Sequence, residues 1–249
     1  PKAMYRLAKL GFTQSYTYFT WRSTKAELME YFTELTHSEI HEYFRPNLWP
    51  NTPDILTEEL QHGGRPAFMV RFVLASTLGA SYGIYGPAFE LCESRPRETG
   101  SEEYLDSEKY EIKQWDIGRA DSLKEFIGLV NRIRRENPAL HNDGNLHFHA
   151  TDNDQLICYS KSTPDGSNVI LVVVNLSPYH THSGWVQLDL DPLRLDPHLP
   201  FQVQDLLTKA YYHWDGPRNY IEINPHSAPA HIFSVRRRLR TEQDFDYYM

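Results

Sequence analysis

The sequence predicts an α/β chain in two parts, βα units over a parallel sheet followed by an antiparallel β-sandwich. Up to about residue 140, stripes of apolar residues three and four apart alternate with short aromatic or β-branched runs, the order of βα units. From about His141 the period drops to two: Leu146, Phe148 and Ala150 alternate with His147 and His149. Val169 to Val174 is one continuous β-branched run of the kind a doubly covered strand requires. The change of pattern places a boundary near Leu140 to Asn145, giving 1–142, 143–240 and a tail at 241–249.

Each element has its own signal. Met4, Leu7 and Ala8 mark a helix over Lys2 to Leu10, and Gly11 supplies the left-handed residue that ends it. Phe12 to Phe19 reads as a strand from its Tyr, Thr and Phe content. Thr24 and Glu27 form a capping box ahead of a stripe at Leu28, Tyr31, Phe32 and Leu35. Phe44 to Leu48 offers a short strand that runs into a segment interrupted by prolines and ending at Asp54. Pro66 suits a first helical turn, and Ala67 to Leu78 is apolar almost all round, as in a helix buried on several sides.

Ser81 to Tyr85 is another aromatic strand, ended by Gly86-Pro87. Residues 87–118 are largely charged and aperiodic, which predicts a long loop inserted over a site. Ser122 and Glu125 form a second candidate capping box before Leu123, Phe126, Ile127 and Val130, and Asn137-Pro138 stops that helix. In the second part, Pro164-Asp165-Gly166 is a hairpin turn, Val186, Leu188 and Leu190 alternate with Gln187 and Asp189, and Asn224-Pro225 precedes a last strand at Ala230 to Val235.

Composition excludes several classes of function. A formal net charge of -8 opposes a phosphate-backbone partner, so no nucleic acid is expected; Arg236 to Arg238 with Arg240 reads as a solvated tail. No apolar run approaches the ~20 residues of a membrane span. Cys92 and Cys158 are the two cysteines and lack metal or redox spacing, which predicts free thiols and a cytoplasmic protein. Aromatic content of 13% fits a sugar-binding cleft as well as an ordinary core. The chain starts at Pro1, without Met, in what reads as the middle of a helix, so a fragment is expected.

Few residues stand out chemically. Asp54 follows an apolar strand, where a βα barrel presents catalytic side chains; its competing role is a helix N-cap before Glu58-Glu59. Lys109 and Tyr110 sit in the long loop, as site residues or as solvated surface, and Glu102, Glu103, Asp106 and Glu108 beside them are too dense to be buried, so that most must face water or cations. His147 and His149 could share a strand face, but with no third ligand they read as solvated rather than metal-binding. Tyr211, Tyr212 and Trp214 suit a sugar platform or cross-strand packing. Gly63-Gly64 is a turn before a helix, without the rest of a phosphate loop.

Three runs point further. Leu7 to Arg22 (LAKLGFTQSYTYFTWR), Arg45 to Leu56 (RPNLWPNTPDIL) and Gly100 to Glu111 (GSEEYLDSEKYE) closely resemble the bacterial α-1,4-glucan:maltose-1-phosphate maltosyltransferases, members of the α-amylase superfamily (glycoside hydrolase family 13). The similarity extends to Asp205 to Thr208 and Ala228 to Ile232. It implies the C-terminal part of a (β/α)8 barrel, about strands six to eight, followed by the sandwich. It also implies a retaining double displacement that moves maltosyl units from maltose 1-phosphate to the non-reducing ends of an α-1,4-glucan, with release of phosphate.

In that scheme an Asp after strand four attacks, a Glu after strand five is the acid/base, and an Asp after strand seven grips the sugar hydroxyls, more tightly as the ring flattens. By motif Asp54 is the third of these, and Lys109 and Tyr110 contact the far sugar of the donor. The nucleophile and acid/base have no counterparts here, so the chain alone is expected to be inactive. The resemblance implies a homodimer and no metal or organic cofactor. Where other amylases have a His before the third carboxylate this chain has Pro53, which favours the transferase. An amylase-type hydrolase or branching enzyme, and a non-catalytic carbohydrate-binding protein, remain the alternatives.

Overall fold

A computed structural model describes residues 2–236. Pro1, most of the arginine cluster and the expected tail at 241–249 lie outside the described residues.

The first half contains two complete βαβ units. Strands β1 (Ser15–Tyr16), β2 (Pro46–Leu48) and β3 (Ser81–Tyr82) pair in parallel in that order. Helix α1 (Lys2–Lys9) precedes them, α2 (Lys25–His37) joins β1 to β2, and α3 (Glu58–His62) and α4 (Gly64–Leu78) join β2 to β3. A short α5 (Gly86–Glu90) opens the long irregular segment, and α6 (Lys124–Glu136) closes the half. The α2 capping box forms as expected: Thr24 Oγ1 accepts from the Glu27 N–H and the Glu27 carboxylate from the Thr24 N–H.

Several expectations fail for identifiable reasons. The strand expected over Phe12 to Phe19 shrinks to two residues because Tyr18–Trp21 turns into a 3-10 helix, pinned where the Tyr18 N–H donates to Tyr31 Oη at 3.0 Å. Gly86-Pro87 starts α5 instead of a loop, with Pro in the first turn, where its missing N–H costs nothing. At α6 the second capping box does not form: Leu123 is the N-cap and Ser122 Oγ donates to Glu90 Oε1 at 2.9 Å.

The second half is one eight-stranded antiparallel sheet folded over on itself. Its strands are β4 (Leu146–Thr151), β5 (Leu156–Ser162), β6 (Val169–Asn175), β7 (His182–Gln187), β8 (Phe201–Asp205), β9 (Tyr211–Trp214), β10 (Arg218–Ile223) and β11 (Ala230–Arg236). They run in the order β10-β7-β4-β5-β6-β11-β8-β9. The alternation expected through Leu190 holds in burial, Val186, Leu188 and Leu190 being buried and Gln187 and Asp189 exposed, but the strand itself ends at Gln187 and Asp189 caps the short helix α7 (Leu190–Leu193).

Both faces of the central strands are covered, which accounts for the unbroken apolar run in β6. Cys158, Leu171, Val173 and Phe233 face the interior of the folded sheet. Ile157, Tyr159, Ile170, Val172 and Ile232 face the βα half and share one core with Phe32, Leu35, Val73 and Leu78. Polar contacts tie this seam at the C-terminal end of α4, where carbonyls lack helical partners. Lys161 Nζ donates across it to the Leu78 carbonyl at 3.1 Å, while within the βα half Arg134 of α6 donates to the carbonyls of Gly79 and Ala80 at 3.1 and 2.8 Å. Tyr159 Oη pairs with Thr77 Oγ1 at 2.6 Å.

Candidate functional site

Asp54 sits in the turn after β2, closed by the Thr52–Ile55 bridge. It is not a helix cap, because α3 starts from Thr57. Its carboxylate is half-exposed and faces the long loop: Lys109 Nζ stands 2.5 Å from Asp54 Oδ1 and 3.1 Å from Glu103 Oε1. Two carboxylates thus share one ammonium. Because the group is open to water, the pairs contribute little stability and can exchange for ligand hydroxyls at small cost.

What brings Lys109 to Asp54 is a seam between the insertion and the β2 loop. The Leu56 N–H donates to the Glu102 carbonyl at 2.6 Å, and Gln61 Nε2 to those of Leu56 and Ser101 at 2.8 and 2.9 Å. Ser107 Oγ reaches the Pro53 carbonyl at 3.5 Å. Asn51, fully buried, lies at the centre: its Nδ2 donates to Tyr104 Oη at 2.8 Å and its Oδ1 accepts the Tyr85 N–H at 2.9 Å. Tyr85 Oη in turn donates to the Glu108 carboxylate, next to Lys109. One side chain therefore joins the loops after β2 and β3 to the insertion.

Tyr110 does not join the carboxylates. It is 72% exposed and flanks a cavity of about 230 Å³ with Arg97, Glu103, Tyr104 and Ser107. Further rings stand near the same loops. Trp21 Nε1 donates to Glu102 at 2.9 Å, and exposed Tyr16 packs edge-on against Trp49. Below them Arg71 of α4, fully buried, donates to the Phe19 and Arg22 carbonyls at 2.6 Å each and lies over the Phe19 ring. Arg71 thereby fixes the loop after β1 from beneath.

Some of this was legible beforehand. Glu103 does face cations, namely Lys109 and Arg97. Asn51 and Arg71 were missed as supports; the signal for Arg71 was the single charge within the apolar run from Ala67 to Leu78. The expected histidine pair behaves differently from a solvated one. His149 is buried: its Nδ1 accepts the Asp189 N–H at 3.1 Å, so Nε2 carries the proton donated to Ser160 Oγ, at 2.9 Å. Burial, with His147 beside it, lowers its pKa to about 4 and keeps it neutral. Both cysteines are free thiols. Trp214 is buried against Phe201 and Phe233, and Tyr212 packs on Phe233, so cross-strand packing occupies these rings; Tyr211 remains half exposed under Arg236. Among the described residues no helix is long and apolar enough to cross a membrane.

Comparison with solved structures matches this architecture. An α-amylase from H. orenii aligns with a TM-score of 0.60 at 13% identity, over 94% of this chain and 51% of that one. An α-amylase from Geobacillus thermoleovorans, complexed with acarbose, gives 0.59 at 12% identity, over 95% and 47%. The chain thus carries the last parallel strands and the C-terminal sheet of an α-amylase-type fold. Sequence comparison narrows this. Residues 148–235 match a family model described as "GLGE, C-terminal". The α-1,4-glucan:maltose-1-phosphate maltosyltransferase of Chlorobaculum tepidum is 54% identical over 241 residues, covering 94% of this chain and 36% of that protein. That of Myxococcus xanthus is 46% identical over 248 residues, covering 100% and 37%. The chain is similar over nearly its whole length to these maltosyltransferases and spans about a third of the length of the curated relatives it matches.

Proposed function

We propose that the chain forms the C-terminal barrel units and β-sandwich of an enzyme that transfers maltosyl units from maltose 1-phosphate to the non-reducing ends of α-1,4-glucans, releasing phosphate. The observation that carries this reading is the 54% identity, over 94% of the chain, to a protein named for that reaction. In this reading Asp54 accepts hydrogen bonds from sugar hydroxyls and strengthens them as the ring flattens and gains positive charge. Lys109 moves from Asp54 and Glu103 onto the donor, and Tyr110 supplies a ring at the edge of its site. Nucleophile and acid/base come from barrel units that precede this segment in the whole enzyme. The division at about residue 142, a homodimer and a cytoplasmic location belong to the same proposal.

The test is phosphate release from maltose 1-phosphate with glycogen as acceptor. The whole enzyme, this segment with the preceding barrel units of its relatives, should release phosphate, and residues 1–249 alone should not. Asp54→Asn in the whole enzyme should lower kcat by about a hundredfold or more with the fold intact. Equal turnover by wild type and Asp54→Asn would remove Asp54 from the mechanism. Release of sugar from glycogen without a phosphorylated donor would indicate a hydrolase instead.

A further inference from the structure

The acidic run at 102–108 does not act as one surface. Glu102 accepts the Trp21 indole N–H at 2.9 Å, and Glu108 accepts from Tyr85 Oη and, at 3.2 Å, from Trp115 Nε1. Among the described residues, Glu103 is the member of the run paired with Lys109. Its two oxygens are divided: Oε2 accepts from Arg97 Nη1 at 2.9 Å, and Oε1 lies 3.1 Å from Lys109 Nζ. Charges of alternating sign thus stand in a row, Arg97, Glu103, Lys109 and Asp54.

These groups differ in how firmly they are mounted. Glu103 lies on a short antiparallel pair, where the Arg97 N–H donates to its carbonyl at 2.8 Å and the Leu105 N–H to the Arg95 carbonyl at 2.9 Å, around the Pro96–Tyr104 bridge. The residue beside it, Tyr104, is buried and bonded to Asn51. Lys109 instead reaches out of a turn on a flexible four-carbon stem, which must be ordered before its ammonium can serve a ligand. Asp54 has the opposite requirement. To grip sugar hydroxyls and stabilise positive charge on a flattening ring, its carboxylate needs its own charge uncompensated, and an ammonium 2.5 Å away offsets much of that charge. Lys109 must therefore leave Asp54 and yet stay close. Glu103 offers a second anion to the same nitrogen, and the three protons of the ammonium can be divided between it and a donor hydroxyl.

We infer that Glu103 is a positioning residue, itself oriented by Arg97, that takes Lys109 over from Asp54 when the donor enters and so frees Asp54 to grip the sugar. The inference rests on the transferase reading and adds to it a group that acts through Lys109.

The test is a double-mutant cycle in the whole enzyme, with Glu103→Gln and Lys109→Ala made singly and together and phosphate release from maltose 1-phosphate as the readout. Gln keeps the shape and removes the charge, so Lys109 stays on Asp54. With Lys109 present, Glu103→Gln should lower kcat about two- to fivefold, the range of an exposed ion pair, at an unchanged urea midpoint. In the Lys109→Ala background no ammonium competes for Asp54, and adding Glu103→Gln should leave kcat where Lys109→Ala put it. An equal fall in both backgrounds would make Glu103 merely structural and overturn the inference, as would an unchanged kcat in Glu103→Gln alone. Acetic anhydride labelling, followed at Lys109 by mass spectrometry, needs no turnover. In Asp54→Asn, which leaves the ammonium to Glu103, adding Glu103→Gln should speed acetylation of Lys109 about two- to fivefold, because an ion pair slows the proton loss that acylation requires. Equal labelling rates would also overturn the inference. If wild-type enzyme released no phosphate, the transferase reading would fail, and the labelling would still decide whether Glu103 holds Lys109.

Discussion

Asn51 commits both ends of its amide, to Tyr104 Oη and to the Tyr85 N–H, and so sets how the β2 loop faces the insertion. Asn51→Ala should cost about 1–3 kcal/mol in chemical unfolding, since it leaves polar groups without partners in a closed seam. In the whole enzyme it should also raise the KM for maltose 1-phosphate, because the offset between Asp54 and Lys109 is no longer fixed. Asn51→Asp should recover part of the stability through the Tyr85 N–H. An unchanged KM in Asn51→Ala would make Asn51 purely structural. Lys109→Ala acts differently. Its ion pairs are open to solvent, so Tm should shift by less than about 1 kcal/mol in equivalent stability while donor affinity falls; unchanged apparent affinity would count against the proposed donor contact. The motifs around Asp54 and Lys109 were readable as sequence, but their 2.5 Å approach was not. It depends on hydrogen bonds between segments some fifty residues apart, which no local spacing encodes.

At the scale of elements, helices were the most legible. Stripe and capping box located α2, and the apolar run at 67–78 located the buried α4. The short parallel strands were less so, since a two-residue strand has no measurable period and is defined by its neighbours. Their spacing depends on Gly83 beyond β3, whose N–H donates to the Leu48 carbonyl at 3.0 Å. A Cβ on Gly83 would fall 2.4 Å from the Trp49 ring. Gly83→Ala should therefore displace Trp49 and cost about 1–3 kcal/mol, read as a lowered midpoint in urea; an unchanged midpoint would mean that the indole can move freely. The long insertion was visible as a loop, but its docking was not, because it rests on hydrogen bonds with residues distant in the chain, such as Leu56 N–H to the Glu102 carbonyl and Asn51 to Tyr104.

Across the whole molecule the two halves share one core, with sheet residues such as Tyr159 and Ile170 packed against α4 residues such as Val73. The burial of His149 gives the sheet half a pH dependence. Its pKa falls from 6.5 to about 4 on folding, so the unfolded chain binds the proton more tightly. Stability from this group is full above about pH 6.5 and is lost as pH falls toward 4. Tm should drop over that window, and His149→Gln should flatten the drop; an equal slope in the variant would assign it to other groups. The sequence by itself determined the two-part α/β plan, the helices α1, α2, α4 and α6, the doubly covered strand β6 and the family motifs, because each rests on periodicity or on residue types adjacent in the chain. Only the tertiary structure decided that Lys109 bridges Asp54 and Glu103, that Arg71 and Asn51 support the loops, and that His149 is buried and neutral. These depend on distant segments meeting and excluding water together, and solvent exclusion is a property of the packed molecule rather than of any stretch of its chain.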